Sequence, residues 1–258
     1  LHGAPASGNR MIGQLFVAPL REAVPALPGF QFGDVAEPGL ERMIELEERW
    51  LEDDGAGEWT LGNEWSGARS PLELTLQASV QESGGRPVTR RLSLPVWPAE
   101  RLVGIRPLFN GTTVDTGSDA RFEIVVADRA GQRLAAEGLE VRLVQERRDY
   151  FWQFSEYEGW SSQFNQKDVT LSSALHAVTP EAKLEVALPV EWGGYRVEVH
   201  DPQTGLVSSV RFQAGYDWQQ NAEEGAVRPD QVRLALDKPR YQAGEVAQLR
   251  VEPPAAGK

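Results

Sequence analysis

The chain has 258 residues with 38 acidic and 26 basic side chains, a formal charge of −12, 41% hydrophobic residues and no cysteine. This is ordinary globular composition, enough for about two domains. The charge argues against nucleic acid or an anionic membrane surface as partner, and the missing cysteine removes disulfides, thiolate nucleophiles and Cys-based metal sites. No apolar run is long enough to span a bilayer. The chain begins with Leu1 rather than Met, which reads as a mature or excised piece of something longer.

In chain order, the first distinctive segment is Leu40–Leu51. Its apolar residues at 40, 43, 44, 50 and 51 fit a helical stripe. Asp53-Asp54-Gly55 followed by Glu58–Leu61 instead resembles a hairpin turn between strands, and local propensity leaves both readings open. From Leu72 to Val80, apolar residues at 72, 74, 76, 78 and 80 alternate with polar ones, the pattern of a strand with one buried face. The same alternation occurs in 139–143, 184–188, 195–199 and 232–236. Turn signals separate these runs at 83–85, 128–131, 193–194 and 201–205, and 25 Gly and 17 Pro suit a chain with many turns. Short strands at such intervals predict an all-β chain of tandem antiparallel β-sandwich domains.

Pro95 and Pro98 end one strand before a new alternating segment starts at Leu102, and the polar, acidic stretch 217–230 reads as a linker. The predicted units are therefore 1–100, whose first strand can lie outside it, then 102–216, the linker 217–230, and the opening strands of a third, truncated unit at 231–258. Two strands are too few to stand alone. Val103–Val126 and Val232–Val251 share one grammar: a strand, a polar kink, a turn with Gly117 or Gly244, and a second strand. Such repetition favours a structural rod over an enzyme with one active site.

Leu236-Asp-Lys-Pro-Arg-Tyr-Gln-Ala-Gly-Glu245 and the strand after it resemble the opening of a macroglobulin-like domain of the bacterial alpha-2-macroglobulin family. Val103–Phe109 with Val114-Asp-Thr-Gly117 resembles the start of the preceding domain, and Gly3–Gly8 with Pro28–Gly33 the one before that. Trp192–Val199 and Ser209–Tyr216 match closing strands. The resemblance covers nearly the whole chain in order. It implies macroglobulin-like domains of fibronectin- or immunoglobulin-like sandwich type, and strands rather than helix at 40–61. It further implies a segment of a periplasmic protease-trapping inhibitor used in bacterial defence, which positions a bait-bearing domain beginning near Gln231. Its partners would be neighbouring domains of the parent chain and proteinases captured by the full-length protein. Other periplasmic proteins and inner-membrane association through the parent are left open. A Cys-x-Glu-Gln thioester, carried by many members, is not in this chain.

The residues themselves offer little chemistry. His2, His176 and His200 lack metal-site spacing. No Gly-x-Ser-x-Gly elbow occurs, and the Gly-rich turns lack the setting of a phosphate loop. Asp53-Asp54, or Asp115 with Asp119, could offer oxygens to Ca²⁺, but acidic turns are usually just solvated. Asn110-Gly-Thr112 fits the glycosylation acceptor pattern, which the bacterial source implied by the resemblance makes a chance match. The expectation is therefore a non-enzyme with no cofactor and no metal. The most distinctive local feature is the aromatic run from Tyr150 to Trp160. On a strand Tyr150, Trp152 and Phe154 share one face. These residues, with Trp160, are expected to pack at the sandwich edge or at a seam between domains. The alternative is a surface carbohydrate-binding or adhesion module that uses the run as a stacking platform.

Overall fold

The computed structural model describes residues 6–63, 65–81, 85–155, 159–215, 233–238 and 240–252. Sixteen strands and no helix occur among them. In chain order they are β1 (Arg10–Pro19), β2 (Gln31–Phe32), β3 (Arg42–Glu45), β4 (Arg49–Trp50), β5 (Leu72–Gln81), β6 (Val88–Val96), β7 (Arg101–Pro107) and β8 (Thr113–Val114). There follow β9 (Ser118–Asp128), β10 (Ala136–Ser155), β11 (Gly159–Val178), β12 (Leu184–Val190), β13 (Gly193–His200), β14 (Val207–Ala214), β15 (Arg233–Leu236) and β16 (Leu249–Glu252).

The second body is a two-layer sandwich. One sheet runs β12-β9-β7-β2 and the other β11-β10-β13-β14-β8. Alternation decides what lies between them. Ile105, Phe122, Ile124 and Val126 from the first sheet meet Leu139, Val141, Leu143, Tyr195, Val197, Val199, Val210 and Phe212 from the second in one buried cluster. Phe122 stands edge-on to Phe109 and Phe212, with ring centroids 5.4 and 5.2 Å away, and Tyr195 stacks on Phe212 at 5.6 Å. Such offset and edge contacts are the favoured aromatic geometry.

The first body has one sheet among the described residues, in the order β3-β1-β5-β6 with β4 also on β1. Leu15, Val17, Leu40, Leu72 and Leu74 form its buried cluster. Loops rather than a second sheet cover the β1 side: Trp65 and Ala68 pack on this cluster, and Trp59 lies against Gly13.

The all-β expectation holds, and the strands at 72–80, 139–143, 184–188 and 195–199 fall inside β5, β10, β12 and β13. Three details differ. The 40–61 segment is strand in part but is not a hairpin, because β3 and β4 both pair antiparallel with β1, through Gln14–Val17 and Arg10–Met11 respectively. They are one edge strand interrupted at 46–48, where Leu46 N–H still donates to Gly13 O at 2.9 Å. That interruption spoils the period-two pattern and lets the sequence imitate a helical stripe. Asp53–Gly55 does turn, but 58–61 returns as loop. Next, Gly193-Gly194 does not form a turn; it opens β13, opposite Ala214 and Gln213. Finally, one pair departs from antiparallel order, since β8 runs parallel to β14.

The hairpin of β10 and β11 contains the longest strands, 20 residues each. Pairing with β13 stops at Gln145, whereas β10 and β11 remain paired to Ser155 and Gly159. The distal half therefore continues beyond the sheet as a two-stranded ribbon.

Candidate functional site

The structure concentrates its unusual side-chain arrangements at the joint between the two bodies. The chain leaves β1, crosses to the second body and returns. On the way β2 adds itself to the second body's first sheet, with Gln31 opposite Ile105 and Phe32 opposite Gly104. Phe32 and Phe30 sit with Ala23, Val24, Leu102 and Val125 in a cluster that belongs to both bodies. Gly104 is needed because a Cβ there would come within 2.8 Å of the Phe32 ring.

Residues 33–35 then reach across to β14. Gly33 N–H donates to Ser208 Oγ at 3.0 Å, and Ser209 N–H donates to Gly33 O at 3.0 Å. Val35 N–H donates to Ser209 Oγ at 2.9 Å, while the Ser209 hydroxyl donates to Asp34 Oδ1 at 2.6 Å. The Ser208 hydroxyl donates to Val103 O at 2.6 Å, and Asp34 N–H to Ser70 Oγ at 2.8 Å. Both serines are buried. Adjacent strand residues point to opposite faces, so this Ser-Ser pair serves two different acceptors and donors at once. Gly33 adopts φ +79°, and a Cβ there would lie 2.7 Å from Ser70 Cβ, so a side chain is excluded by both conformation and space.

Charged groups reinforce the joint. Glu123 is buried in β9. It is bonded by Arg106, whose guanidinium lies 4.8 Å over the Phe30 ring, and Arg133 stands 3.6 Å away. Arg101 holds Asp201 through two hydrogen bonds of 2.9 and 2.6 Å. Burial alone would raise the Asp201 carboxyl, but Arg101, Gln203 N–H and Thr204 together bring it below its ordinary value. Asp201 also organises the turn ending at Gly205.

On the outer face of the second sheet, Arg196 is only 6% exposed at its side chain. It bonds Glu146, and it reaches Asp168 at 3.0 Å and Glu198 at 2.7 Å. Glu146 and Asp168 are opposite each other on β10 and β11. Arg196 therefore clamps both strands of the long hairpin where they leave the sheet. Desolvation would lower the Arg196 value, but the bonds from Glu198 and Asp168 outweigh it and raise it. Arg211 continues the chain of charges, bonding Glu146 at 3.0 Å and donating to Val35 O at 3.2 Å. Glu198 is held down to about 2, first by its hydrogen bond with His200 at 3.1 Å and then by Arg196, against desolvation.

Of the residues singled out in the sequence, Tyr150 pairs with Phe164 and Phe154 with Trp160, while Trp152 faces Ser162. The side chains of Tyr150, Trp152, Phe154 and Trp160 lie outside the described residues, so their packing role stands as a proposal. His2 lies outside them as well. His200 bonds Glu198, and His176 is paired with Leu139 in the strand ladder. Asp54 accepts from Ala56 N–H at 2.8 Å, and the Asp115 carbonyl accepts from Ser118 at 2.6 Å, both ordinary turn contacts. Among the described residues no group of three or more His, Asp or Glu is placed to hold a metal. Asp237 and Tyr241 form a local brace: Asp237 Oδ1 accepts from the Tyr241 hydroxyl and from Gln248 N–H at 2.8 Å, and Gly244 takes φ +94°.

Among the described residues, the arrangement at the joint is an interlock suited to fixing two β bodies relative to each other. Residues 1–98 match the bacterial alpha-2-macroglobulin MG5 domain, and residues 104–216 match bacterial macroglobulin domain 6. Alpha-2-macroglobulin of Escherichia coli K12 is 48% identical over the whole chain, which spans 16% of that relative. Its native conformation, solved by cryo-EM, superposes with a TM-score of 0.85 at 48% identity, over all of this chain and 17% of that one. The E. coli protein activated by porcine elastase matches 92% of the chain and 20% of its own, with a TM-score of 0.76 at 48% identity. The chain thus spans about a sixth of the length of the relatives it matches, and it belongs to the bacterial alpha-2-macroglobulin family.

Proposed function

We propose that these residues are a non-catalytic structural segment of a periplasmic protease-trapping inhibitor, which holds the bait-bearing part in position and passes on its rearrangement after cleavage. The observation that carries this reading is the interlock of residues 20–35 with β7 and β14, which ties two β bodies into one unit. A rigid unit is what a mechanical role requires, whereas a catalytic role requires converging reactive groups. The relative activated by elastase supports proteinases as partners of the full-length parent. In this reading units 1–100 and 102–216 are the two bodies, and 231–258 opens the next one.

The test uses the full-length parent. It is mixed with pancreatic elastase, and the remaining activity is followed on a small chromogenic peptide and on a large protein substrate. Trapping predicts that cleavage of the large substrate falls at least tenfold while the small one is still cut. Equal activity on both substrates, with the parent degraded, would refute the reading. Envelope fractionation of the source cell tests the location, and recovery in the cytoplasm would defeat it.

A further inference from the structure

Between β7 and β8 the chain turns at 108–112, and the proposed mechanical role makes no use of this turn. Both of its ends are fixed. On one side Leu108 N–H donates to Arg121 O at 2.9 Å, and the Phe109 ring packs against Phe122 and Phe212, with centroids 5.4 and 5.8 Å away. On the other, Thr112 O accepts from Gln213 N–H at 2.9 Å, and Thr113 and Val114 lie opposite Gln213 and Ala214 of β14. Gly215 N–H then donates to Val114 O at 2.9 Å. Asn110 and Gly111 span the gap between these anchors, and both are exposed.

The turn needs Gly111 because φ there is +72°, a left-handed backbone that glycine adopts without steric cost. The same residue bares a reactive amide. A Cβ at Gly111 would meet no atom within 4 Å, so its nitrogen is open to approach. Among the described residues neither Gly111 N–H nor the Asn110 carboxamide has a hydrogen-bond partner. Asp54-Gly55 is the guarded counterpart. Gly55 also lies at positive φ, +79°, but its N–H donates to Glu52 O at 2.9 Å, and Asp54 Oδ1 accepts from Ala56 N–H at 2.8 Å. The other asparagines, Asn9, Asn63, Asn165 and Asn221, precede Arg10, Glu64, Gln166 and Ala222. Each of those followers carries a side chain that crowds the attacking nitrogen.

We propose that Asn110-Gly111 is a self-modification site, where the chain's own backbone converts a side-chain amide to a carboxylate. The Gly111 nitrogen gives its proton to hydroxide and attacks Asn110 Cγ. A Cγ–N bond forms and closes a cyclic succinimide. The Cγ–Nδ2 bond breaks, and the leaving nitrogen takes a proton from water and departs as ammonia. Water then opens the ring at either carbonyl. Opening at Cγ gives aspartate, and opening at the main-chain carbonyl gives isoaspartate, whose backbone runs through Cβ. Water is the only co-reactant, and nothing is oxidised or reduced. Isoaspartate adds an atom to the backbone between two fixed ends. Thr112–Val114 must then shift, which loosens the parallel pairing of β8 with the end of β14. No proteinase takes part, so the proposal stands apart from the trapping reading.

The folded full-length protein is aged in warm, mildly alkaline buffer and mapped by peptide mass spectrometry. Asn110 is expected to lose its amide at least tenfold faster than Asn9, Asn63 or Asn165, with isoaspartate as the larger product. Conversion no faster than at those three overturns the proposal, and so does an intact Asn110. The structural consequence is read by amide exchange. Gln213 and Gly215 are expected to exchange at least threefold faster in aged than in fresh protein. Asn110→Asp adds the charge but no backbone atom, and is expected to exchange at the fresh rate. Equal exchange in aged and fresh protein, or the aged rate in Asn110→Asp, overturns the loosening of β8. Asn110→Gln, aged alongside, is expected to keep the fresh rate; faster exchange there would place the cause at another residue and overturn it as well.

Discussion

The two bodies are made from the same period-two grammar but reach different states of closure. In the second, Phe109, Phe122, Tyr195 and Phe212 fill the space between facing sheets. In the first, among the described residues, loops cover half of one sheet, and Val88, Leu92 and Leu94 on the rest of its apolar face are exposed. Alternation in a sequence therefore specifies which face of a strand wants burial, while the number of layers decides whether burial is achieved.

The largest expected effects bear directly on that contrast. Phe122→Ala should cost about 3–5 kcal/mol, because a fully enclosed ring leaves a cavity its neighbours cannot fill. Leu15→Ala, in the half-covered body, should fall near the lower end of the 2–5 kcal/mol typical of Leu truncation, as loop residues around Trp59 and Trp65 settle into the space. Urea melts of both variants measure the difference, and equal losses would erase the contrast. Next in size is Gly33→Ala at the joint. The left-handed backbone and the approach to Ser70 should together cost about 1–3 kcal/mol. Calorimetry is expected to give one coupled transition for the unsubstituted chain and two for Gly33→Ala; a single lowered transition in the variant would mean that the joint does not couple the bodies.

Acid should act on the second body more than the first. The Glu198 carboxyl is depressed to about 2, so its contribution is fully present above the ordinary carboxylate value near 4.5 and is lost as pH falls through about 2. Glu198→Gln should flatten the fall in melting temperature between pH 4.5 and 2. A variant that keeps the parent's slope would remove Glu198 from the account. The smallest effect is local. Tyr241→Phe removes the hydroxyl that Asp237 accepts from, and amide exchange at Gln248 should quicken while both bodies are unaffected. Unchanged exchange at Gln248 would show that the motif braces nothing.

The strands of both bodies were legible wherever one face is buried, as in Leu72–Val80. The segment at 40–61 was not, since an edge strand interrupted at 46–48 has no single period. The joint was nearly invisible. Phe32-Gly33 entered only as part of a family resemblance, and Ser208-Ser209 carries no signal, because the partners of a small hydroxyl lie far away in sequence. Arg196 posed the same difficulty. Its position in an alternating strand suggests a solvated charge, and only the pairing of β10 with β11 and β13 brings Glu146, Asp168 and Glu198 around it.

The ribbon that β10 and β11 form beyond Gln145 has a geometric consequence. At about 3.4 Å per residue, Glu146–Ser155 extends roughly 30 Å from its root. Over that length a displacement of about 5 Å at the far end corresponds to a rotation of only about 10° at the base. Arg196 grips both strands at that base, and with Arg211 on Glu146 it braces the angle there beside the backbone pairing of β10 with β13. Whatever touches the far end works with the full length of the ribbon as its moment arm, and the torque it delivers arrives at Arg196.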